Sequence, residues 1–98
     1  MTRKIKKNIL ILNDNLELLR KKYNVANIGI FGSYARGDQK RNSDIDILVE
    51  FAKPVGFFKF VDLEDYLSKI LGREVDLATK SSLKSAIKKD ILKEVIYV

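Results

Sequence analysis

Asp44 and Asp46 stand two residues apart in a segment, Asp44 to Phe51, that alternates apolar and polar side chains as a strand does. Side chains at that spacing emerge on one face, so the two carboxylates lie close together and repel each other. A shared proton, an arginine or lysine, or a metal cation can offset that repulsion. If it is a cation, the hard oxygen donors suit Mg2+ or Mn2+. Asp76 falls on the polar face of another short strand and joins the pair if the two strands are neighbours. Gly32-Ser33 marks a strand-to-helix junction. There a glycine lets backbone approach a ligand, and the first helical amides with the Ser33 hydroxyl can hold an anion. Arg36, one turn on, is within reach of the same anion. Taken singly, each feature has an ordinary explanation, as solvated aspartates on an open sheet face or as turn chemistry.

The composition narrows the chemistry. Among the 98 residues there is no histidine and no cysteine, which removes the commonest general base, thiolate metal sites and a disulfide scaffold. Catalysis here has to run on carboxylates, hydroxyls, Lys, Arg and bound ions. No apolar run approaches the roughly 18 residues of a membrane span. The stretch Met1 to Lys7 is basic but lacks the apolar core of a signal peptide, so the expected location is the cytoplasm.

The elements that must position these residues can be read from periodicity. Ile5, Ile9, Leu12, Leu16, Leu19 and Tyr23 form one helical stripe, which predicts a single helix over 3–23. A strand follows over 26–31, then one helical turn from Ser33 to Arg36 and a polar loop into the aspartate strand. Phe57, Phe60, Leu63, Leu67 and Ile70 make a second helical stripe, with Gly72 placed as the glycine that ends it. Of the neighbouring aromatics Phe57, Phe58 and Phe60, core filling is expected, with Phe58 the exception. Glu74 to Ala78 reads as a strand. Ser81 or Ser82 is expected to cap a last helix with Leu83, Ile87, Ile91 and Val95 as its core stripe, and Ile96-Tyr97-Val98 can pair as a final strand. The expected fold class is α/β (α+β), a small mixed β-sheet flanked by helices, in a single domain spanning 1–98.

Gly32-Ser33-Tyr34-Ala35-Arg36-Gly37, five residues, then Ser43-Asp44-Ile45-Asp46 resembles the signature of the polymerase-beta-like nucleotidyltransferases. The resemblance is to the minimal nucleotidyltransferases of that superfamily, and it extends through Glu74-Val75-Asp76-Leu77 over nearly the whole chain. It implies a palm-like fold and a phosphoryl-transfer site that uses ATP with two Mg2+ ions, or Mn2+ in their place. By the same resemblance Asp44, Asp46 and Asp76 are catalytic and metal-binding, Asp76 also assisting deprotonation of the acceptor hydroxyl. Gly32 and Ser33 would bind the β and γ phosphates. Ser43 joins the nucleotide-binding set by positioning the aspartate strand. Arg36 either neutralises phosphate charge or braces the loop. Tyr34, at the variable position, either faces the nucleotide or is a plain surface tyrosine.

Larger members of that superfamily add domains that grip the acceptor, and little of this chain is free to do so. A partner protein is therefore expected. The resemblance implies a HEPN-domain toxin, with AMP transferred from ATP to a partner tyrosine so that this chain acts as the antitoxin. The rivals are a non-catalytic module that neutralises its partner by contact, nucleotidyl transfer to a small molecule, and a basic nucleic-acid-binding protein. The net charge of +6 invites the last of these. The excess sits in the terminal segments, including Lys84, Lys88, Lys89 and Lys93, where a solvated helix face accounts for it, and direct nucleic-acid binding is not favoured.

Overall fold

The structure is a computed structural model that describes residues 3–98. The signal-peptide reading falls partly on Met1 and Thr2, outside those residues. A four-stranded mixed sheet forms the centre, in the order β3-β2-β1-β4, with β1 Val25–Phe31, β2 Ile45–Phe51, β3 Val75–Ala78 and β4 Ile96–Tyr97. β1 pairs antiparallel with β2 and β4, whereas β2 and β3 run parallel. A parallel pair needs a crossover, and the 15-residue helix α4, Phe57–Leu71, supplies it.

One sheet face carries the core. Ile28 and Ile30 of β1, Ile45, Ile47 and Val49 of β2, and Val75 and Leu77 of β3 meet Ile5, Leu12, Leu19 and Tyr23 from the N-terminal helices and Leu63 and Leu67 from α4. The alternation seen in the sequence thus sends the isoleucines of β2 into the core and turns Asp46 to the opposite face. Leu48, on that opposite face, is also fully buried. The 3-10 turn Lys80–Ser82 packs against β2.

Four expectations need correction. The single helix over 3–23 is two, α1 Arg3–Asp14 and α2 Leu16–Tyr23. Asn15 breaks it by bonding locally, its Nδ2 donating to the Ile11 carbonyl at 2.7 Å, while Tyr66 donates its hydroxyl to Asn15 Oδ1 at 2.8 Å. Phe57 does not fill the core. It is 74% exposed and stacks edge-on against exposed Phe58, and the buried stripe begins at Phe60, which packs on Phe51. Neither Ser81 nor Ser82 caps the last helix: they belong to the 3-10 turn, which Thr79 caps, and α5, Ser85–Glu94, starts after Lys84. Finally, the stripe of α5 is not core. None of its residues is buried and Ile87 is 48% exposed, because α5 lies along the rim of the polar sheet face. Gly72 ends α4 in the left-handed region at φ 66°, as expected.

Candidate active site

The parallel pairing of β2 with β3 sets Asp46 directly opposite Asp76. On the other side, Asp46 pairs with Phe31 at the end of β1, one residue before Gly32. The chain therefore brings a carboxylate pair and the Gly-Ser turn to one place with backbone ladders alone. Asp44 precedes β2, two residues back on the same face, and is exposed, as is Asp76; Asp46 is half-buried.

Asp46 bears the electrostatic cost. Burial pushes its carboxyl up to about 6, and the negative charges of Asp76 and Asp44 push in the same direction, against the opposing pull of Arg36. Among the described residues no three Asp, Glu, His or Cys side chains close into a group tight enough to grip a metal ion. The donor set nonetheless fits a hard divalent cation. It is all oxygen, it is concentrated on adjacent strand positions, and its central carboxylate lacks enough positive charge around it to stay ionised cheaply.

Gly32 is buried and adopts φ 71° and ψ −149°, a conformation that L side chains rarely adopt. A Cβ at this position would collide with Asp46 Oδ2. Glycine is needed here so that backbone can lie against the carboxylate. The following turn, α3 Ser33–Arg36, starts with amides that have no intrahelical acceptor, and the half-buried Ser33 hydroxyl makes no hydrogen bond among the described residues. Ser33 is thus open to an incoming anion.

Arg36 and Ser43 are engaged elsewhere. The Arg36 guanidinium donates to Asp38 Oδ2 at 3.2 Å and to both oxygens of Glu94 at 3.3 Å, so of the two roles open in the sequence this geometry fits the brace. The Ser43 hydroxyl accepts the Lys40 amide at 2.8 Å and the Ser43 amide donates to the Lys40 carbonyl. That reciprocal turn aims the chain into Asp44 and fits positioning rather than nucleotide contact. Tyr34 is not a plain surface tyrosine. It is 3% exposed and packs into the core cluster.

Sequence reasoning missed Glu94. From the last turn of α5 it accepts the Gly32 amide at 2.9 Å across 62 residues while gripping Arg36. Ile87, Asp90 and Ile91 share its helix face and line the same cleft of about 350 Å3 with Phe31, Gly32 and Asp46. The signal was present as acidic residues interleaved with the apolar stripe at helical spacing. Glu94→Ala leaves the Gly32 donor unpaired and Arg36 half-free, which costs about 1–2 kcal/mol. The expected result is a melting temperature lower by about 5–10 °C in thermal denaturation, with Glu94→Gln, which keeps an acceptor for Gly32, recovering about half of the loss.

The chain matches the nucleotidyltransferase domain family over residues 12–98. It is 51% identical to the protein adenylyltransferase MntA of Thermococcus cleftensis, over 90% of this chain and 89% of that one. MntA of Shewanella oneidensis is 35% identical over 81% of this chain, which spans 52% of that longer protein. Among solved structures, a toxin–antitoxin with AMP-PNP superimposes with a TM-score of 0.71 at 31% identity, covering 87% of this chain and 69% of that one. The tri-AMPylated Shewanella oneidensis HEPN toxin in complex with MNT antitoxin gives 0.65 at 25% identity, covering 92% and 70%. This chain belongs to the nucleotidyltransferase domain family.

Proposed function

We propose that this chain, acting as one domain in the cytoplasm, transfers AMP from ATP to a tyrosine hydroxyl of a HEPN-toxin partner and so serves as its antitoxin. The observation that carries this reading is the packing of the Gly32-Ser33 turn against Asp46, with Asp76 paired opposite. A phosphate-binding turn and a carboxylate cluster placed side by side are what nucleotidyl transfer requires. The likeness to protein adenylyltransferases and to a complex with an AMPylated HEPN toxin gives the acceptor class.

Asp44, Asp46 and Asp76 would hold magnesium, or manganese, which supplies charge neutralisation at the triphosphate and lowers the acidity barrier of the acceptor hydroxyl. The Ser33 hydroxyl and the first amides of α3 bind the phosphates that leave. Arg36, held by Glu94 and Asp38, keeps that turn in shape. Asp76, on the exposed edge strand, takes the proton as the acceptor oxygen bonds to the α phosphorus. The bond from the α phosphorus to the bridging oxygen then breaks, and pyrophosphate departs with the electron pair.

The test uses α-labelled nucleoside triphosphates and Mg2+, with and without the product of the adjacent gene. Label from ATP on a tyrosine of the partner, absent with the Asp44→Asn/Asp46→Asn variant, is the expected result. Tight partner binding with no label from any triphosphate supports the contact-only antitoxin instead, and label on a small molecule supports the small-molecule transferase.

A further inference from the structure

Behind α3, on the core side of the sheet, lies a second concavity of about 210 Å3, walled by Lys4, Lys7 and Asn8 of α1, Tyr34, Ile45 and Arg73. None of these is among the seven residues expected at the active site. Two of its walls carry polar groups with no protein partner among the described residues. Asn8 is the one buried polar side chain among the described residues, 7% exposed, and its amide makes no hydrogen bond with them. Tyr34 is 3% exposed, and its hydroxyl likewise has no partner there. Their polar atoms are not sealed in, since the one buried side-chain polar atom without a partner among the described residues is Gln39 Oε1, so the amide and the phenol are open to a ligand that enters the concavity.

Charge identifies what would complete them. Lys4, Lys7 and Arg73 border the pocket, and none forms an ion pair with a carboxylate among the described residues. Arg73 gives one guanidinium nitrogen to the Arg41 carbonyl at 2.6 Å, which fixes the side chain and leaves its other donors free. Lys4 and Lys7 also sit in the first two turns of α1, the positive end of its dipole. Three cations, an amide and a phenol around one concavity are a set of donors for a tetrahedral oxyanion.

We propose that this pocket binds a phosphate group, as a second site distinct from the nucleotide site. Two sources share that chemistry: the pyrophosphate released by the transfer proposed above, and the phosphodiester of an adenylyl group already attached to the acceptor. Both sources rest on the function proposed above; phosphate binding itself does not.

The experiment is a titration of the 15N-labelled full chain with inorganic phosphate, with pyrophosphate, and with the phosphodiester of AMP and tyrosine, followed by NMR without divalent cations so that the aspartate site stays silent. The expected result is saturable shifts of the Asn8 side-chain amide and Arg73 Nε. Affinity should fall about tenfold or more in Lys4→Glu/Lys7→Glu, exposed positions that leave the fold intact, and stay unchanged in Asp46→Asn. Tighter binding of the tyrosyl-AMP ester than of pyrophosphate assigns the acceptor-side source, and the reverse assigns the released product. Linear, unsaturable shifts, or shifts indifferent to the lysine reversal, overturn the proposal. Saturable binding in a protein that fails to label any partner overturns the transfer function and leaves this site standing.

Discussion

Replacing Asp46 by Asn is expected to abolish nucleotidyl transfer and, in divalent-free buffer at pH 7.5, to make the protein more stable. The two effects share one cause. Asp46 lies between Asp44, Asp76 and Glu94 in a half-buried position, and its carboxyl is raised from 3.8 to about 6. The folded state therefore holds that proton more tightly than the unfolded chain does. The group contributes its full stabilisation at low pH, and this is lost as pH rises from about 4 through about 6. At neutral pH the ionised side chain is a net liability. The full shift corresponds to about 3 kcal/mol, and screening by the solvent that reaches this half-open carboxylate reduces it to about 1–1.5 kcal/mol. Asn removes the charge while keeping size and shape, so the melting temperature should rise by about 5–8 °C. Transfer should fall by about a thousandfold or more, the loss expected when several kcal/mol of charge stabilisation at the triphosphate is withdrawn.

The same electrostatics predict how the liability is relieved in the wild type. A divalent cation held by the three aspartates should raise the melting temperature of the wild type and leave that of Asp46→Asn nearly unchanged. Its apparent affinity should weaken as pH falls below about 6, where Asp46 takes up a proton that the cation must displace. A variant that melts lower than the wild type without cations, or a wild type indifferent to Mg2+, contradicts this account of the cluster.

What the sequence made legible follows from how each feature is encoded. Period-two alternation from Asp44 to Phe51 was enough to put Asp44 and Asp46 on one face, because strand geometry leaves no freedom there. Bringing Asp76 opposite Asp46 needed a tertiary fact, the parallel neighbour relation of β2 and β3, which the sequence left as a condition. Local competition was less visible. Asn15 looked like one more polar residue on a helix, and only its bonds to Ile11 and Tyr66 show that it ends one helix and starts the next. The α5 stripe misled for a different reason: apolar residues at helical spacing say that a face is covered or lines a cleft, and do not say which. Ile87 and Ile91 line a cleft. Glu94 was lost with them, since its partners Gly32 and Arg36 are some 60 residues away in sequence. Tyr34 was weighed between nucleotide and solvent, and the core position it takes depends on how α1 crosses α3.

Replacing Gly32 by Ala is the second large effect, and its physics separates backbone from charge. The residue sits at φ 71° and ψ −149°, where an L side chain costs about 1–3 kcal/mol in strain alone. The added methyl would also meet Asp46 Oδ2, with Cγ 3.0 Å and Cβ 3.3 Å away. Little around it can yield. β2 is held by ladders on both sides of Asp46, and the turn is tied by the Gly32 amide to Glu94 and by the Arg36 amide to the Gly32 carbonyl. We expect Gly32→Ala to destabilise the fold by about 2–4 kcal/mol in urea denaturation and to cut transfer by about a hundredfold or more, because the turn must retreat from the carboxylate it is built against. A double-mutant cycle with Asp46→Ala divides the two contributions. Removing the carboxylate takes away the collision but not the φ strain, so Gly32→Ala/Asp46→Ala should be more stable than additivity predicts by about 1–2 kcal/mol while remaining inactive. Strict additivity would mean that the turn and the aspartate do not touch, and the arrangement that positions phosphates beside the carboxylates would have to be abandoned.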